Sequence, residues 1–199
     1  IVDAPAENLT FHDIRNIIKQ EKPVIVGATC TTPAFYNAAT TLKIAKEVDK
    51  EITTVIGGAH VTFTPELTLM NNPHIDYVVL GEGEITALEL YKCITVGGEI
   101  KEVKGLAYRQ NGKVTFTSPR PLIRNLDDMP FPAWHLLPMK KYKAFGKISE
   151  FPMITSRGCP FQCIFCSSSA LMGKKYRFRS AENVVKEMEI LSRKYNINN

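Results

Sequence analysis

The chain has 199 residues, of which 44% are apolar and 23% charged, with a formal net charge of +5. This is ordinary globular composition, with room for one large domain or one and a half, and it makes disorder not the default expectation. The positive charge is mild and scattered except at Lys174, Lys175, Arg177 and Arg179, so charge alone gives no nucleic-acid footprint.

No apolar run approaches the roughly 20 residues needed to cross a bilayer, and no basic segment followed by an apolar stretch opens the sequence. A soluble, cytoplasmic protein without a membrane span is the expectation. The first residues, Ile1-Val2-Asp3, read as the end of a strand, and the last follow a helix directly, so the sequence is expected to be cut at both ends.

Thr10-Phe-His-Asp13 resembles a capping box, with Asp in place of Glu, and starts an amphipathic helix carrying Ile14, Ile17 and Ile18 to about Gln20. Pro23 to Ala28 is a β-branched run of the buried parallel-strand type. A helix from about Pro33 to Lys50 follows, with Pro in its first turn and Leu42, Ala45 and Val48 on one face. The alternation repeats with a strand over Ile52 to Ile56, a Gly57-Gly58 turn, a short helix near Pro65 to Met70, a strand over Asp76 to Leu80 and a helix over Glu84 to Val96. Such alternation implies right-handed βαβ crossovers and an open parallel sheet covered on both faces.

Gly105 to Arg109 and Val114 to Thr117 flank an Asn111-Gly112 hairpin signal. Pro119, Pro121, Pro130, Pro132 and Pro138 then mark an ordered linker. Met153 to Ser156 reads as a strand leading into a cysteine loop. Ser180 caps a last helix from Ala181 to Tyr195, with Val184, Val185, Met188 and Leu191 on one face. The segment Lys174-Lys-Tyr-Arg-Phe-Arg179 interleaves charge and aromatics in a way that could suit RNA, but reads more simply as a surface loop.

Three of the five cysteines fall in Thr155-Ser-Arg-Gly-Cys-Pro-Phe-Gln-Cys-Ile-Phe-Cys-Ser167, a Cys-x3-Cys-x2-Cys spacing. So tight a cluster suits metal binding in a reducing compartment better than disulfides. Soft thiolates from Cys159, Cys163 and Cys166 suit an iron-sulfur cluster or zinc, and three ligands on a cubane leave one iron open. Zinc with Cys30 or Cys93 as a remote fourth ligand stays open on spacing alone, although both read most simply as small buried residues.

This loop resembles the signature of the radical S-adenosylmethionine (SAM) superfamily, with Arg157-Gly158 before Cys159, Pro160 after it and the aromatic Phe165 before Cys166. The resemblance implies a [4Fe-4S] cluster on the three cysteines and SAM on the open iron, with Phe165 near its adenine. Upstream, Val24-Ile-Val-Gly-Ala-Thr29, Val55-Ile-Gly-Gly-Ala-His-Val-Thr62 and Asp76-Tyr-Val-Val-Leu-Gly-Glu-Gly-Glu84 are similar to the cobalamin-binding domain of cobalamin-dependent radical SAM proteins. The run from Pro121 to Trp134 is similar to that family's connector. By the same resemblance Thr29, Thr31, Gly57 and Gly58 would meet the nucleotide tail, and Gly81, Glu82 and Gly83 the corrin side. The Asp-x-His-x-x-Gly motif that supplies a lower cobalt ligand is absent from the sequence, and His60 and His135 read as a turn and a linker histidine.

The expected architecture is α/β: a Rossmann-like, parallel-sheet cobalamin-binding domain over residues 1–100, a hairpin and Pro-rich linker over 101–150, and the first βα unit of a partial TIM-type radical SAM barrel over 151–199. The resemblance implies radical methylation or oxidative cyclisation of a small organic substrate in the complete enzyme, fed by a donor such as ferredoxin or flavodoxin. The given residues alone are not expected to turn over, and no catalytic side chain is assigned. Two alternatives remain: a methylthiotransferase acting on tRNA, whose N-terminal domain needs three further cysteines where only Cys30 and Cys93 are available, and a non-catalytic cobalamin-binding module.

Overall fold

The structure, a computed structural model, describes residues 1–142 and 152–195. In chain order its helices and strands are α1 (Ala4–Glu7), α2 (Phe11–Glu21), β1 (Ile25–Thr29), α3 (Phe35–Val48), β2 (Thr53–Gly57), α4 (Ala59–Phe63), α5 (Pro65–Asn71), β3 (Tyr77–Val79), α6 (Glu84–Val96), β4 (Leu106–Gln110), β5 (Lys113–Phe116), β6 (Ser156–Arg157), α7 (Ser168–Met172), β7 (Arg177–Phe178) and α8 (Ala181–Tyr195). They fall into two units, Phe11–Leu122 and the pairing of Ile1–Thr10 with Ile123–Asn199. The boundary expected at 150/151 lies outside the described residues.

In the Phe11–Leu122 unit a sheet of five strands runs in the order β1-β2-β3-β4-β5. β1, β2 and β3 are parallel, and the hairpin adds β4 and β5 antiparallel to them. The fold is thus the expected Rossmann-like arrangement, with one change: the sheet is mixed, because the hairpin joins it rather than standing apart. Asn111 and Gly112, both at positive φ (52° and 74°), make the two-residue turn that holds Gln110 opposite Lys113.

Alternation along the strands sends side chains to opposite faces. Ile56, Val78 and Ala107 pack with Ala38, Ala39 and Leu42 of α3, Val61 of α4 and Leu69 of α5. Val55, Tyr77, Val79 and Leu106 pack instead with Leu90, Cys93 and Ile94 of α6. Both faces are therefore covered, and each fully buried Leu or Ile contributes about 1.5–3 kcal/mol. Ile18 of α2 closes a further cluster with Ile44, Ala45 and Ile52. Thr54, fully buried, donates through Oγ1 to the His74 carbonyl at 2.6 Å and to Asp76 at 3.0 Å, which fastens β2 to the entry of β3.

In the other unit three local expectations change. Ile1 to Asp3 is not a strand: Asp3 accepts from the Ala6 N–H at 3.1 Å, Pro5 sits in the first turn, and the residues begin a helix. The strand expected at Met153 to Ser156 shrinks to Ser156–Arg157, paired antiparallel with Arg177–Phe178. On α8, whose cap is confirmed by the Asn183 N–H donating to Ser180 Oγ at 3.1 Å, the buried residues are Glu187 and Leu191, while Val185 and Met188 are exposed. The Pro-rich stretch is ordered by packing: Trp134 and Met139 form a buried cluster with Leu191. Among the described residues no helix is long and apolar enough to cross a membrane.

Candidate functional site

Two constellations emerge, one in each unit. The first lies at the carboxyl ends of β1, β2 and β3. Register pairs Thr29 with Gly57, so the ends of β1 and β2 are level. Thr29 and Thr31 are exposed, with Thr31 extended ahead of the turn that starts α3. Between them Cys30 is buried, its N–H donating to the Gly57 carbonyl at 3.0 Å. Burial pushes its thiol pKa up, partly offset by a hydrogen bond from the Val61 backbone.

Gly58 has a conformation, φ 103° and ψ 177°, that side chains do not tolerate. A Cβ there would stand 2.5 Å from the Cys30 carbonyl oxygen and 2.9 Å from Thr29 Oγ1. Glycine is therefore required by the close approach of the two βα turns. The third turn is tied to the second through Thr62, whose hydroxyl donates to the Gly58 carbonyl at 2.9 Å and accepts from the Gly81 N–H at 3.1 Å. Sequence reasoning missed Thr62, although a threonine four residues after the turn glycine is placed for this back-bond. His60, in α4, lies beside Thr32 Oγ1 (3.1 Å from Nδ1) and stacks at a tilt on Phe35 with ring centroids 4.6 Å apart.

Gly81 has φ 65° and open space where a Cβ would point, whereas a Cβ on Gly83 would lie 3.0 Å from Val79 Cγ1. Glu82, between them, is 8% exposed, so this turn keeps its carboxylate inward while Glu84 starts α6 in solvent. Two glycine-bearing turns, two exposed hydroxyls on the turn beside them and free space at Gly81 fit a large, polar-edged ligand approached by backbone.

The second constellation is the cysteine loop between β6 and α7. Gly158 (φ 92°) turns the chain against the Lys175 carbonyl, which a Cβ would approach to 2.2 Å, and the Cys159 N–H donates to the Gly173 carbonyl at 3.0 Å. This bond and the close approach at Gly158 anchor the loop's first cysteine. The Cys166 N–H closes a turn on the Cys163 carbonyl at 3.0 Å. All three thiols are free, Cys159 half-buried and Cys163 and Cys166 exposed, and Phe165 is 89% exposed. The Ser168 hydroxyl, then its backbone N–H, hold the Cys166 thiol below its ordinary pKa. Among the described residues no group of three Cys, His, Asp or Glu side chains is arranged to hold a metal ion. What fits an iron-sulfur cluster is thus the donor set of three accessible thiols and the turn that carries them.

The basic segment after the loop is engaged in folding rather than displayed. Arg177 is buried and donates to the carbonyls of Ile123 (2.6 Å) and Met172 (2.7 Å), and Arg179 pairs with Glu187 and lies over the Phe131 ring at 5.6 Å. The loop reading thus holds for Lys174 and Lys175, which are exposed, and is corrected for the two arginines.

Known proteins bear on both constellations. The family described as B12 binding domain matches residues 1–91. The chain is 52% identical over 197 residues to an uncharacterized methyltransferase of Pyrococcus horikoshii, covering 99% of this chain and 43% of that protein. It is 40% identical over 202 residues to the anaerobic magnesium-protoporphyrin IX monomethyl ester cyclase of Rubrivivax gelatinosus, covering 98% of this chain and 36% of that protein. The chain therefore spans about two fifths of the length of these relatives. Among solved structures, the cobalamin-dependent SAM radical enzyme OxsB with aqua-cobalamin and SAM bound matches with a TM-score of 0.81 at 21% identity, over 99% of this chain and 27% of that one. The radical SAM methyltransferase TsrM from Kitasatospora setae, with cobalamin and a [4Fe-4S] cluster bound, matches at 0.72 and 19% identity, over 98% of this chain and 40% of that one. Residues 1–91 thus match the B12-binding domain family, nearly the whole chain is similar in sequence to a methyltransferase and to a magnesium-protoporphyrin cyclase, and its fold is that seen in OxsB and TsrM.

Proposed function

We propose that the chain is part of a cobalamin-dependent radical SAM enzyme that methylates or oxidatively cyclises a small organic substrate. In this reading residues 1–100 hold cobalamin, 101–150 connect, and 151–199 begin the radical SAM domain. The observation that carries it is the meeting, in one chain, of a match to the B12-binding domain over residues 1–91 and a loop presenting three free thiols at Cys-x3-Cys-x2-Cys spacing.

Thr29 and Thr31 offer exposed hydroxyls to the nucleotide tail, Gly57 and Gly58 let backbone approach it, and Gly81 to Gly83 border the corrin. Cys159, Cys163 and Cys166 ligate the cluster and Phe165 lies beside the SAM adenine. Reductive cleavage of SAM, and the methyl transfer or ring closure that follows, is chemistry supplied by the bound cofactors; the side chains here bind and orient them. The electron comes from a low-potential carrier of the ferredoxin or flavodoxin class. Five free cysteines suit a reducing, cytoplasmic setting.

The methylthiotransferase reading is less well supported, because Cys30 is buried with a raised thiol pKa and makes a poor additional ligand. RNA binding through the basic segment loses support from the internal engagement of Arg177 and Arg179.

Anaerobic reconstitution with ferrous iron and sulfide is expected to load about four irons per chain, and Cys163→Ala to reduce this to background. A cluster retained in the variant removes the ligand assignment. Separately, titration with hydroxocobalamin is expected to shift the corrin absorbance in the native chain and to be at least tenfold weaker in Thr31→Val. An unchanged spectrum in the native chain refutes cobalamin binding by this domain.

A further inference from the structure

The Cys166 thiol lies 3.3 Å from the hydroxyl of Ser168, the first residue of α7. While the thiol is protonated it donates and the hydroxyl accepts. A cysteine that ligates iron does so as thiolate and keeps no proton to give. The contact then survives only if the serine hydroxyl, which rotates freely, turns and donates to sulfur.

We propose that Ser168 is a positioning residue of the iron-sulfur centre: its hydroxyl donates to the Cys166 sulfur and so raises the reduction potential of the cluster which that sulfur ligates. This rests on the cluster reading given above. Adding an electron to a cluster increases the negative charge on its sulfur ligands, and a hydrogen bond to sulfur stabilises the more negative state. Hydrogen bonds to a charged partner are about twice as strong as neutral ones. Cys166 and Ser168 are both exposed, so water competes for the sulfur and the effect is moderate.

The position also allows a clean test. The residue at the helix cap is Ser167, which makes no side-chain cap bond, and alanine at Ser168 is the best helix former, so removing the hydroxyl leaves α7 intact. Native chain, Ser168→Ala and Ser168→Thr are reconstituted with ferrous iron and sulfide under argon, their iron is counted, and each is titrated reductively with detection by electron paramagnetic resonance. All three are expected to load the same iron. The alanine variant is expected to be about threefold to tenfold harder to reduce, tenfold being about 59 mV for a one-electron couple, and the threonine variant to stay within about twofold of native.

Coincident titrations of native and alanine proteins overturn the role of Ser168, as does a threonine variant displaced as far as alanine. Loss of iron in alanine but not threonine also overturns it, by making the hydroxyl a requirement for assembly rather than a modulator. Failure of the native chain to take up iron overturns both this inference and the cluster reading, whereas iron-loaded proteins with equal potentials overturn only the former.

Discussion

Gly58→Ala is expected to destabilise the Phe11–Leu122 unit by about 3 kcal/mol or more, read as a lower urea midpoint in far-ultraviolet circular dichroism. Two costs combine. The backbone at φ 103° and ψ 177° is open essentially to glycine, with a penalty of about 1–3 kcal/mol for other residues. The new methyl would also stand 2.5 Å from the Cys30 carbonyl oxygen and 2.9 Å from the Cys30 nitrogen, so relief requires the ends of β1 and β2 to separate. That separation would stretch the Cys30 N–H to Gly57 carbonyl bond, now 3.0 Å. The neighbour supplies the control: a Cβ on Gly57 meets nothing closer than Val79 Cβ at 3.7 Å, an ordinary contact. Gly57→Ala should therefore cost less than about 1 kcal/mol. Equal losses in the two variants would refute the close-approach account of the turn.

Glu187→Ala is the second large effect, expected at about 3–5 kcal/mol. Glu187 is 1% exposed on α8, and its partner Arg179 is 11% exposed. Removing the carboxylate leaves the guanidinium largely out of water, with Asn183 Oδ1 at 2.6 Å and the Ile154 carbonyl at 3.0 Å as partial compensation. The single tryptophan, Trp134, is buried in the same cluster as Leu191 of α8, so its fluorescence reports unfolding of this unit directly. Replacing the pair together, as Arg179→Met with Glu187→Leu, should recover most of the loss, because no charge is then buried alone. A double variant as unstable as Glu187→Ala would mean that packing, and not the isolated charge, dominates.

The alternation of short apolar runs with helical segments was enough to identify the α/β class and to bound α6 at Glu84 and Val96, because its acidic start and glycine end are local signals. The hairpin turn was legible for the same reason: Asn-Gly specifies its own backbone geometry. The cysteine spacing is likewise local, since the turn that carries Cys163 and Cys166 is closed within the loop. Elements whose form depends on distant partners were not legible. The run at Met153 and Ile154 has strand-like composition, yet pairing starts only at Ser156 because the partner, Arg177–Phe178, is a two-residue strand some twenty residues later.

Arg177 and Arg179 likewise read as a basic surface until the chain supplies the Ile123 and Met172 carbonyls and Glu187 to meet them. The sequence by itself determined the class of fold, the glycine-bearing turns and the donor set of three thiols, all of which follow from residues adjacent in the chain. Tertiary structure alone decided that Gly58 must lack a side chain, that Thr62 links two turns, that Arg177 is buried and that Arg179 meets Glu187. These follow from distances between atoms that the order of residues does not contain.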